Sequence, residues 1–376
     1  MISKKIGVVL EILSHRGDLS ELDVDIGGGS HPAVNIKSMT GVVSVGDKVL
    51  LNTTAQDLGL GSGGHHFVMA NLSKGCHGDE RLSRDEGHIM KLRYTPSQMR
   101  VMSVEEEASP HHGPMKQAES LNNIPVVCCT LHSMVPAAAA SINMLGSGLR
   151  TIYIMTDGAA LPLKLSRLID TMERKGLIHG TITIGHAFGG DLEAVNIYSG
   201  LLAAADVLKA DVVIVSMGPG IVGTGTTFGF TGLEQGDIIN AVNVLGGRPI
   251  AVPRISFSDK RERHRGLSHH SITVLGRVAL SPALISLPHL EKEKEKIISE
   301  QMQGASIFKK HRVVVENGEG GLRFLKKLGV KVTTMGRSLD QDREFFLASS
   351  SAGAAAAKMA LGYDLQIYEG EDRLET

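Results

Sequence analysis

The sequence predicts an α/β protein in which a small N-terminal β-barrel-like domain precedes a doubly wound, mainly parallel sheet. Two patterns support this fold class: short β-like runs broken by glycine clusters fill the first part of the chain, and apolar runs alternate with helical patterns from Ile124 onwards. At 376 residues the chain is long enough for two domains with full apolar cores. We therefore expect a barrel-like domain at 1–100, a linker with a short helix at 101–123, and a Rossmann-like α/β domain at 124–376.

The candidate strands of the first domain are short and are separated by turn signals. Glycine clusters at 27–29 and 59–64 and the pair Gly46-Asp47 interrupt them. Several short strands at such spacing are typical of a small antiparallel barrel or sandwich. The predicted strands are 6–13, 21–26, 31–36, 42–45, 48–51 and 66–70.

The second domain alternates apolar strand patterns with helical patterns, which favours βαβ units, a mainly parallel sheet and helices on both faces. A polar, proline-interrupted stretch at 103–123 precedes it. The predicted strands are 124–131, 150–155, 178–184, 212–216, 249–255, 282–287, 311–316 and 330–334. The predicted helices are 135–145, 163–175, 191–209, 233–245, 268–279, 291–302, 321–328 and 343–361.

Charge and cysteine content limit the partners and the compartment. The net charge is −1 and no basic stripe stands out, so we expect no nucleic-acid partner. The three cysteines, Cys76, Cys128 and Cys129, do not form a disulfide framework, which is typical of a reducing compartment.

The longest apolar stretch, 124–145, resembles a membrane span only in length. His132, Pro136 and Asn143 interrupt it, so we interpret it as a strand, a turn and a helix. The first residues have no long apolar run of the kind found in a secretory signal. We therefore expect a cytoplasmic protein without a membrane partner.

A loop rich in glycine and threonine spans 217–232, directly after the predicted strand 212–216. It formally matches G-x-G-x-x-G, but the next helix begins late and no acidic residue ends the following strand, which argues against a dinucleotide site. We expect the loop to bind an anion or a polar ligand, although it also fits an ordinary loop that permits close packing. Its candidate ligand-binding residues are Gly218, Gly220, Gly223, Thr224, Thr226 and Thr227.

Polar residues follow the first three predicted strands of the second domain. Because the carboxyl ends of parallel strands meet at one edge of a sheet, these residues are expected to converge. His132, Asp157, His186 and Asp191 are the candidate catalytic residues, either as a general acid–base pair or around a divalent metal. No H-E-x-x-H or paired C-x-x-C spacing occurs, so metal binding is left open, and each histidine also fits a structural role.

A dense basic segment, 259–270, follows the fifth predicted strand. Arg261, Arg263 and Arg265 are expected to clamp a phosphate or a carboxylate, with His269 and His270 beside them. The segment also fits a solvated loop whose charges balance Asp259 and Glu262. Its position next to the glycine loop in strand order favours the ligand-binding interpretation.

The chain resembles an uncharacterised family of soluble proteins from Gram-positive bacteria that have no assigned activity. The resemblance covers nearly the whole length and implies a bacterial, cytoplasmic protein of unknown function, without catalytic residues to carry over. The motifs that carry it are Leu131-His-Ser-Met-Val-Pro-Ala, Thr156-Asp-Gly-Ala-Ala-Leu-Pro, Gly185-His-Ala-Phe-Gly-Gly-Asp-Leu-Glu-Ala-Val-Asn and Gly218-Pro-Gly-Ile-Val-Gly-Thr-Gly-Thr.

Together these observations predict an enzyme that acts on a small anionic substrate, phosphorylated or nucleotide-like, in the cleft at the carboxyl ends of the strands. The glycine loop and the arginines would bind the anion, and His132 or His186 would act as the base. The alternative is a non-catalytic ligand-sensing or scaffold protein whose β-domain docks a partner. The cofactor and a homo-oligomeric state are left open.

Overall fold

The structure is a computed structural model that describes residues 2–61, 63–74 and 87–368. Contacts within the chain divide it into two compact units, Met1–Val101 and Met102–Thr376. Each unit has a hydrophobic core of its own. Of the three cysteines, Cys128 and Cys129 are free and buried, and Cys76 lies outside the described residues.

The N-terminal unit contains a closed five-stranded barrel, which confirms the predicted β-barrel. Its strands are β1 (Lys4–Arg16), β2 (Leu19–Asp25), β3 (Ser30–Ile36), β4 (Lys48–Asn52) and β5 (His66–Asn71). They neighbour each other in the order β1-β2-β3-β5-β4, and β4 closes the barrel against β1. Val9, Leu22, Val24 and Leu51 are buried inside it. Two short helices, α1 (Lys37–Thr40) and α2 (Thr54–Asp57), and the hairpin β6 (Ile89–Lys91) with β7 (Met99–Val101) complete this unit.

The larger unit is built on a nine-stranded sheet that is parallel except at one edge. Its strands are β8 (Pro125–Cys128), β9 (Thr151–Thr156), β10 (Gly180–Ile184), β11 (Leu192–Ala194), β12 (Val212–Met217), β13 (Arg248–Ala251), β16 (Leu284–Pro288), β17 (Arg312–Glu316) and β20 (Ile367–Tyr368). Two hairpins stand apart from it: β14 (Ile255–Ser256) with β15 (Gly266–Leu267), and β18 (Thr333–Thr334) with β19 (Arg337–Ser338). The order in the sheet is β11-β10-β9-β12-β8-β13-β16-β17-β20, and only the pairing of β20 with β17 is antiparallel.

Helices cover both faces of this sheet. The helices of the larger unit are α3 (His112–Gln117), α4 (Val135–Leu145), α5 (Arg167–Arg174), α6 (Ile197–Leu202), α7 (Glu234–Val244), α8 (His269–Thr273), α9 (Lys292–Gly304), α10 (Glu319–Lys327) and α11 (Arg343–Ala360). Side chains of α4, α5, α10 and α11 pack with Val127 and Ile214 on one face, whereas α6, α7, α8 and α9 pack with Val126 and Val215 on the other. Strands buried on both faces are continuously apolar, and β12 is buried along its whole length.

The strand order places two loops on either side of β8. β12 is its neighbour on one side and β13 on the other, so the loops that follow these two strands leave the same edge of the sheet. The side-chain amide of Gln235 joins the strands there, because it donates to the Cys128 carbonyl at 2.7 Å and to the Val252 carbonyl at 3.0 Å. In parallel sheets, ligands bind at the carboxyl ends of the strands, which is where these two loops begin.

Several segments differ from the sequence-based expectation. Residues 102–123 contain the expected short helix, α3, but they belong to the larger unit rather than to a linker, and Val104, Met115 and Leu121 are buried in its core. The expected helix 191–209 starts later, because Leu192–Ala194 pairs with β10 and Asn196 caps α6. Residues 42–45 form a loop rather than a strand.

Candidate functional site

The loop after β13 folds into the hairpin of β14 and β15, which positions the basic segment. Ile255 lies opposite Leu267 in this hairpin. The Arg254 carbonyl accepts a hydrogen bond from the Ser268 N–H at 2.9 Å, and the Arg254 N–H donates to the Ser271 hydroxyl at 2.8 Å. Arg254 is thereby held beside the first turn of α8, where Ser268 caps the helix.

Three histidines meet at this point. His264 ends a 3₁₀ turn, and His269 and His270 begin α8. One nitrogen of each ring lies within 4.8 Å of those of the other two. His264 and His270 are 2% and 6% exposed. Burial, together with neighbouring arginines, lowers the pKa of His264 and of His270 to about 3, so both imidazoles are neutral at pH 7.

The hydrogen bonds of this cluster are incomplete. His264 Nδ1 lies 2.7 Å from the Ser268 hydroxyl. His269 Nε2 and His270 Nδ1 are buried and have no hydrogen-bond partner among the described residues. Leaving a buried polar atom unpaired costs about 1–3 kcal/mol. A ligand or an ion that satisfies these nitrogens would remove that cost.

Three arginines, Arg254, Arg261 and Arg263, lie around the histidines. Asp259 accepts from Arg261 Nε at 2.9 Å and from its NH2 at 2.8 Å, and Arg254 NH2 lies 3.3 Å from the same carboxylate. Hydrogen bonding to Arg261 holds the pKa of Asp259 far below its usual value. Arg263 is exposed, and within the described chain it forms no hydrogen bond or ion pair, so its charge is available to a ligand.

The glycine-threonine loop folds back on itself beside this cluster. Thr224 N–H donates to the Gly229 carbonyl at 2.8 Å, and the Thr231 N–H donates to the Val222 carbonyl at 3.0 Å. The hydroxyl of Thr224 also donates to Gly229, and the Gly229 N–H donates to the hydroxyl of Thr226 at 3.0 Å. The hydroxyls of Thr224 and Thr226 therefore stabilise the loop itself, and this role accounts for threonine at both positions without a bound ligand.

The base of the loop needs a glycine at position 218. A Cβ there would lie 2.3 Å from the Ala160 carbonyl oxygen, and Ala160 N–H donates to the Pro219 carbonyl at 3.0 Å. Gly220 has a φ of +103°, which disfavours a side chain. The loop is thus fixed against the segment that follows β9, and its tip, including Thr227, is exposed.

The loop, the histidines and the arginines line one pocket of about 150 Å³, which we call the histidine–arginine pocket. It lies wholly within the larger unit. Five of the expected ligand-binding residues line it, whereas Gly218, Gly220, Thr224, Thr226 and Thr227 belong to the loop beside it. The lining residues are Ile221, Val222, Gly223, Gly225, Arg254, Arg261, Arg263, His264, His269, His270 and Met335.

The expected catalytic residues do not line this pocket. His132 is 7% exposed and both of its ring nitrogens have partners: Nδ1 lies 3.2 Å from the Tyr153 hydroxyl and Nε2 lies 2.6 Å from the Ser166 hydroxyl. Burial lowers the pKa of His132 to about 4. Both ring nitrogens of His132 are thus already engaged within the protein.

The other three expected catalytic residues lie elsewhere on the sheet. The Asp157 carboxylate accepts a hydrogen bond from the His186 backbone N–H at 3.0 Å, so these two residues do meet beyond the ends of β9 and β10. The Asp191 carboxylate instead accepts from the N–H and hydroxyl of Thr181 at 2.8 and 3.0 Å. Because Thr181 is the second residue of β10, Asp191 lies at the amino end of that strand, away from Asp157.

The sequence did not point to Arg254 or Glu234 at this edge, and it placed His264 in the basic segment without making it a candidate ligand-binding residue. His264 and Arg254 line the pocket, and Glu234 begins α7. The Glu234 carboxylate accepts from the Thr156 hydroxyl at 2.6 Å, and burial, with Asp157 and Asp237 nearby, raises its pKa to about 7. His264 belongs to the basic segment and could have been chosen with His269 and His270, whereas nothing in the sequence signals the burial of Glu234.

A larger cavity of about 540 Å³ opens at the opposite edge of the sheet, at the amino ends of β13, β16 and β17. Arg248, Leu284, Arg312 and Tyr363 are among its lining residues. Its described lining contains no histidine or cysteine. Because ligands of parallel sheets bind at the carboxyl ends of the strands, and the histidine cluster lies there, we take the smaller pocket as the candidate site.

Comparison with known proteins identifies a family for this chain but no activity. No helix in the described ranges is both long and apolar enough to cross a membrane. The chain matches no curated protein and no solved structure. Residues 32–353 match the model of the family described as "Protein of unknown function (DUF3866)". The chain therefore belongs to the DUF3866 family, whose function is not known.

Proposed function

We propose that the protein is an enzyme that acts on a small anionic substrate in the histidine–arginine pocket. The observation that carries this proposal is Arg263, an exposed cation without an ion pair among the described residues, at the mouth of a pocket in which one buried nitrogen each of His269 and His270 also lacks a partner. A guanidinium is well suited to bind a phosphate or a carboxylate. The neutral imidazoles beside it offer ring nitrogens to the bound substrate or to an ion.

The size of the pocket favours a small ligand. Sites that enclose drug-sized molecules usually measure about 300–1,000 Å³. A pocket of about 150 Å³ is suited to a phosphate or carboxylate group rather than to a whole nucleotide. A phosphorylated substrate would therefore place its anionic group against Arg263 and leave the remainder outside.

The setting of the pocket also supports the proposal. It lies between the loops that follow β12 and β13, the two neighbours of β8. We interpret the sheet as doubly wound and Rossmann-like, with β8 at the point where the strand order turns, and ligands of such sheets bind at that point. A bacterial, cytoplasmic setting, as the resemblance implies, is part of the same proposal.

The proposal can be tested by calorimetry with inorganic phosphate, sugar phosphates, nucleoside monophosphates and small dicarboxylates. We expect at least one of these anions to bind wild-type protein and to bind Arg263→Ala at least about tenfold more weakly. Arg265→Ala is the matched control, because Arg265 is exposed in the same segment but does not line the pocket. Equal affinity of the wild type and the Arg263 variant would contradict the assignment.

A second candidate function, a scaffold or ligand sensor whose β-domain docks a partner, has one observation in its favour. Ile6, Leu10 and Leu13 of β1 and Val45 are exposed on the barrel, with exposures of 59%, 46%, 53% and 63%. Exposed apolar side chains are a feature of interaction surfaces. Turnover of a bound anion favours the enzyme, and binding without turnover favours the sensor.

A further inference from the structure

We infer that His264, His269 and His270 bind a divalent transition-metal ion, and that this ion and the anion occupy the histidine–arginine pocket together. The inference deepens the proposed function, because it names the cofactor of the same pocket. It rests on geometry that is independent of Arg263.

The first argument is the convergence of the three rings. Their nearest nitrogens lie within 4.8 Å of one another. In a tetrahedral site with metal–nitrogen bonds of about 2.0–2.1 Å, two ligand nitrogens stand roughly 3.3 Å apart. The rings must therefore approach one another by about 1.5 Å at most, which small side-chain rotations can provide.

The second argument is the unpaired nitrogens. His269 Nε2 and His270 Nδ1 are buried without a hydrogen-bond partner in the described structure, and His270 as a whole is 6% exposed. Native proteins rarely leave buried polar atoms unsatisfied, and an ion or a water explains most exceptions. A metal bound to all three rings would satisfy both nitrogens, whereas a single water has only two protons to donate and could not also satisfy the third imidazole.

The third argument is the support around His264. Metal-binding histidines commonly donate their second ring N–H to an oxygen, which fixes the tautomer and orients the ring. The Ser268 hydroxyl lies 2.7 Å from His264 Nδ1 and also accepts from the His270 N–H at 3.3 Å. When Nδ1 donates to this hydroxyl, Nε2 of His264 carries the lone pair that a metal requires.

The ligand set indicates the class of metal. Imidazole nitrogens suit zinc and its neighbours, whereas magnesium and calcium prefer oxygen ligands. Three protein ligands leave at least one coordination position for water or for a substrate oxygen. Such an open position is typical of catalytic rather than structural zinc sites.

The charges around the cluster predict that metal and anion assist each other. Arg254 and Arg261 are paired with Asp259, which they share with Arg337, and Arg337 also pairs with Asp342. Three arginines thus share two carboxylates, and Arg263 has no ion pair among the described residues, so a divalent cation alone enters a pocket that is already positive. An anion removes this repulsion, and linkage requires that each ligand strengthen the binding of the other by the same factor.

The test is a cobalt titration of the wild-type protein after treatment with EDTA, followed by visible absorption. We expect one cobalt ion per chain, with the d–d bands of a nitrogen-ligated site, and tighter binding in the presence of inorganic phosphate. His264→Ala and His269→Ala should each weaken binding at least about 100-fold, and Ser268→Ala by about 10- to 100-fold. His289→Ala, an exposed histidine outside the pocket, is the matched control and should bind as the wild type does.

The outcomes separate the two proposals. A wild-type protein that binds no cobalt, or variants that fold by circular dichroism and bind cobalt unchanged, would overturn the metal site. Phosphate binding that needs Arg263 but not metal would leave the proposed function in place and contradict the joint occupancy. Cobalt bound through the histidines without any effect of phosphate or of Arg263→Ala would support the metal site and contradict the proposed anion site.

Discussion

The ring of Phe230 stacks on the imidazole of His270, with ring centroids 3.9 Å apart and an interplanar angle of 11°. Phe230 closes the glycine-threonine loop through its bridge with Gly223, so this contact joins the loop to the histidine cluster. The two sequence features that predicted a ligand site are therefore physically coupled.

We expect Phe230→Ala to destabilise the protein and to weaken ligand binding. Phe230 is 6% exposed, and truncation of a buried phenylalanine costs about 3–5 kcal/mol. Urea unfolding measures this loss. Phe228→Ala is the control: its ring is 51% exposed beneath the Arg277 guanidinium, and we expect a cost of about 1 kcal/mol or less. Equal costs for the two variants would contradict the coupling of the loop to His270.

Gly218→Ala should displace the loop without touching any charged group. The added Cβ would lie 2.3 Å from the backbone oxygen of Ala160, which cannot rotate away as a side chain could. We expect a loss of about 1–3 kcal/mol in stability and weaker phosphate binding. Gly148→Ala is a suitable comparison, because nothing lies within 4 Å of a Cβ there and its φ is not positive. Phosphate affinity that is unchanged in Gly218→Ala would separate the loop from the site.

The pH dependence of stability should contain a contribution from Glu234. Burial raises its pKa from 4.5 to about 7 in the folded protein, with Asp157 and Asp237 adding to the shift. The folded state thus binds the Glu234 proton more tightly than the unfolded state does. The resulting contribution to the free energy of unfolding is fully present below pH 4.5 and is lost as the pH rises through 7.

Glu234→Gln removes this titration and keeps an acceptor for the Thr156 hydroxyl. The variant should be more stable than the wild type at pH 8, by about 1–3 kcal/mol, and no more stable at pH 4. Urea unfolding at the two pH values measures the difference, and Glu300→Gln, an exposed carboxylate on α9, should show none. A wild-type advantage at pH 8 would show that Glu234 is stabilising as a carboxylate.

Ser166→Ala tests whether His132 is structural. The Ser166 hydroxyl bonds to His132 Nε2 and caps α5 by accepting from the Ile169 N–H at 3.2 Å, so its loss should cost about 2 kcal/mol. We expect anion binding and any turnover to be unchanged in the folded variant. Ser299→Ala, within α9, should change stability by less than about 0.5 kcal/mol. A fall in turnover at unchanged stability would instead restore His132 to the active site.

The parts of the fold that could be predicted are those with a strong local pattern. The strands β8, β9, β12 and β16 are mostly apolar because they are buried on both faces, and their alternation with helical patterns predicts a parallel sheet. The three-residue strand β11 has no such pattern, since only its pairing with β10 makes it a strand. The expected helix from Asp191 was wrong in its start for this reason.

Those parts of the candidate site that follow directly from the order of the strands could be predicted from the sequence. Gly223, Arg261 and His270 could be grouped because each follows a strand next to β8. The environment of each side chain could not be derived in the same way: the partners of His132 and the place of Asp191 depend on how the chain folds beyond the strand ends. Asp191 returns to Thr181 because the segment 185–190 runs back along β10.

The most direct test of the anion site is imidazole ¹H–¹⁵N NMR of the wild-type protein during titration with inorganic phosphate, with each signal assigned by a histidine-to-glutamine variant. Phosphate bound in the histidine–arginine pocket should shift the signals of His264, His269 and His270 and leave those of His132 and His186 in place. Shifts at His186 without shifts at these three histidines would place the anion beside Asp157 and contradict the account.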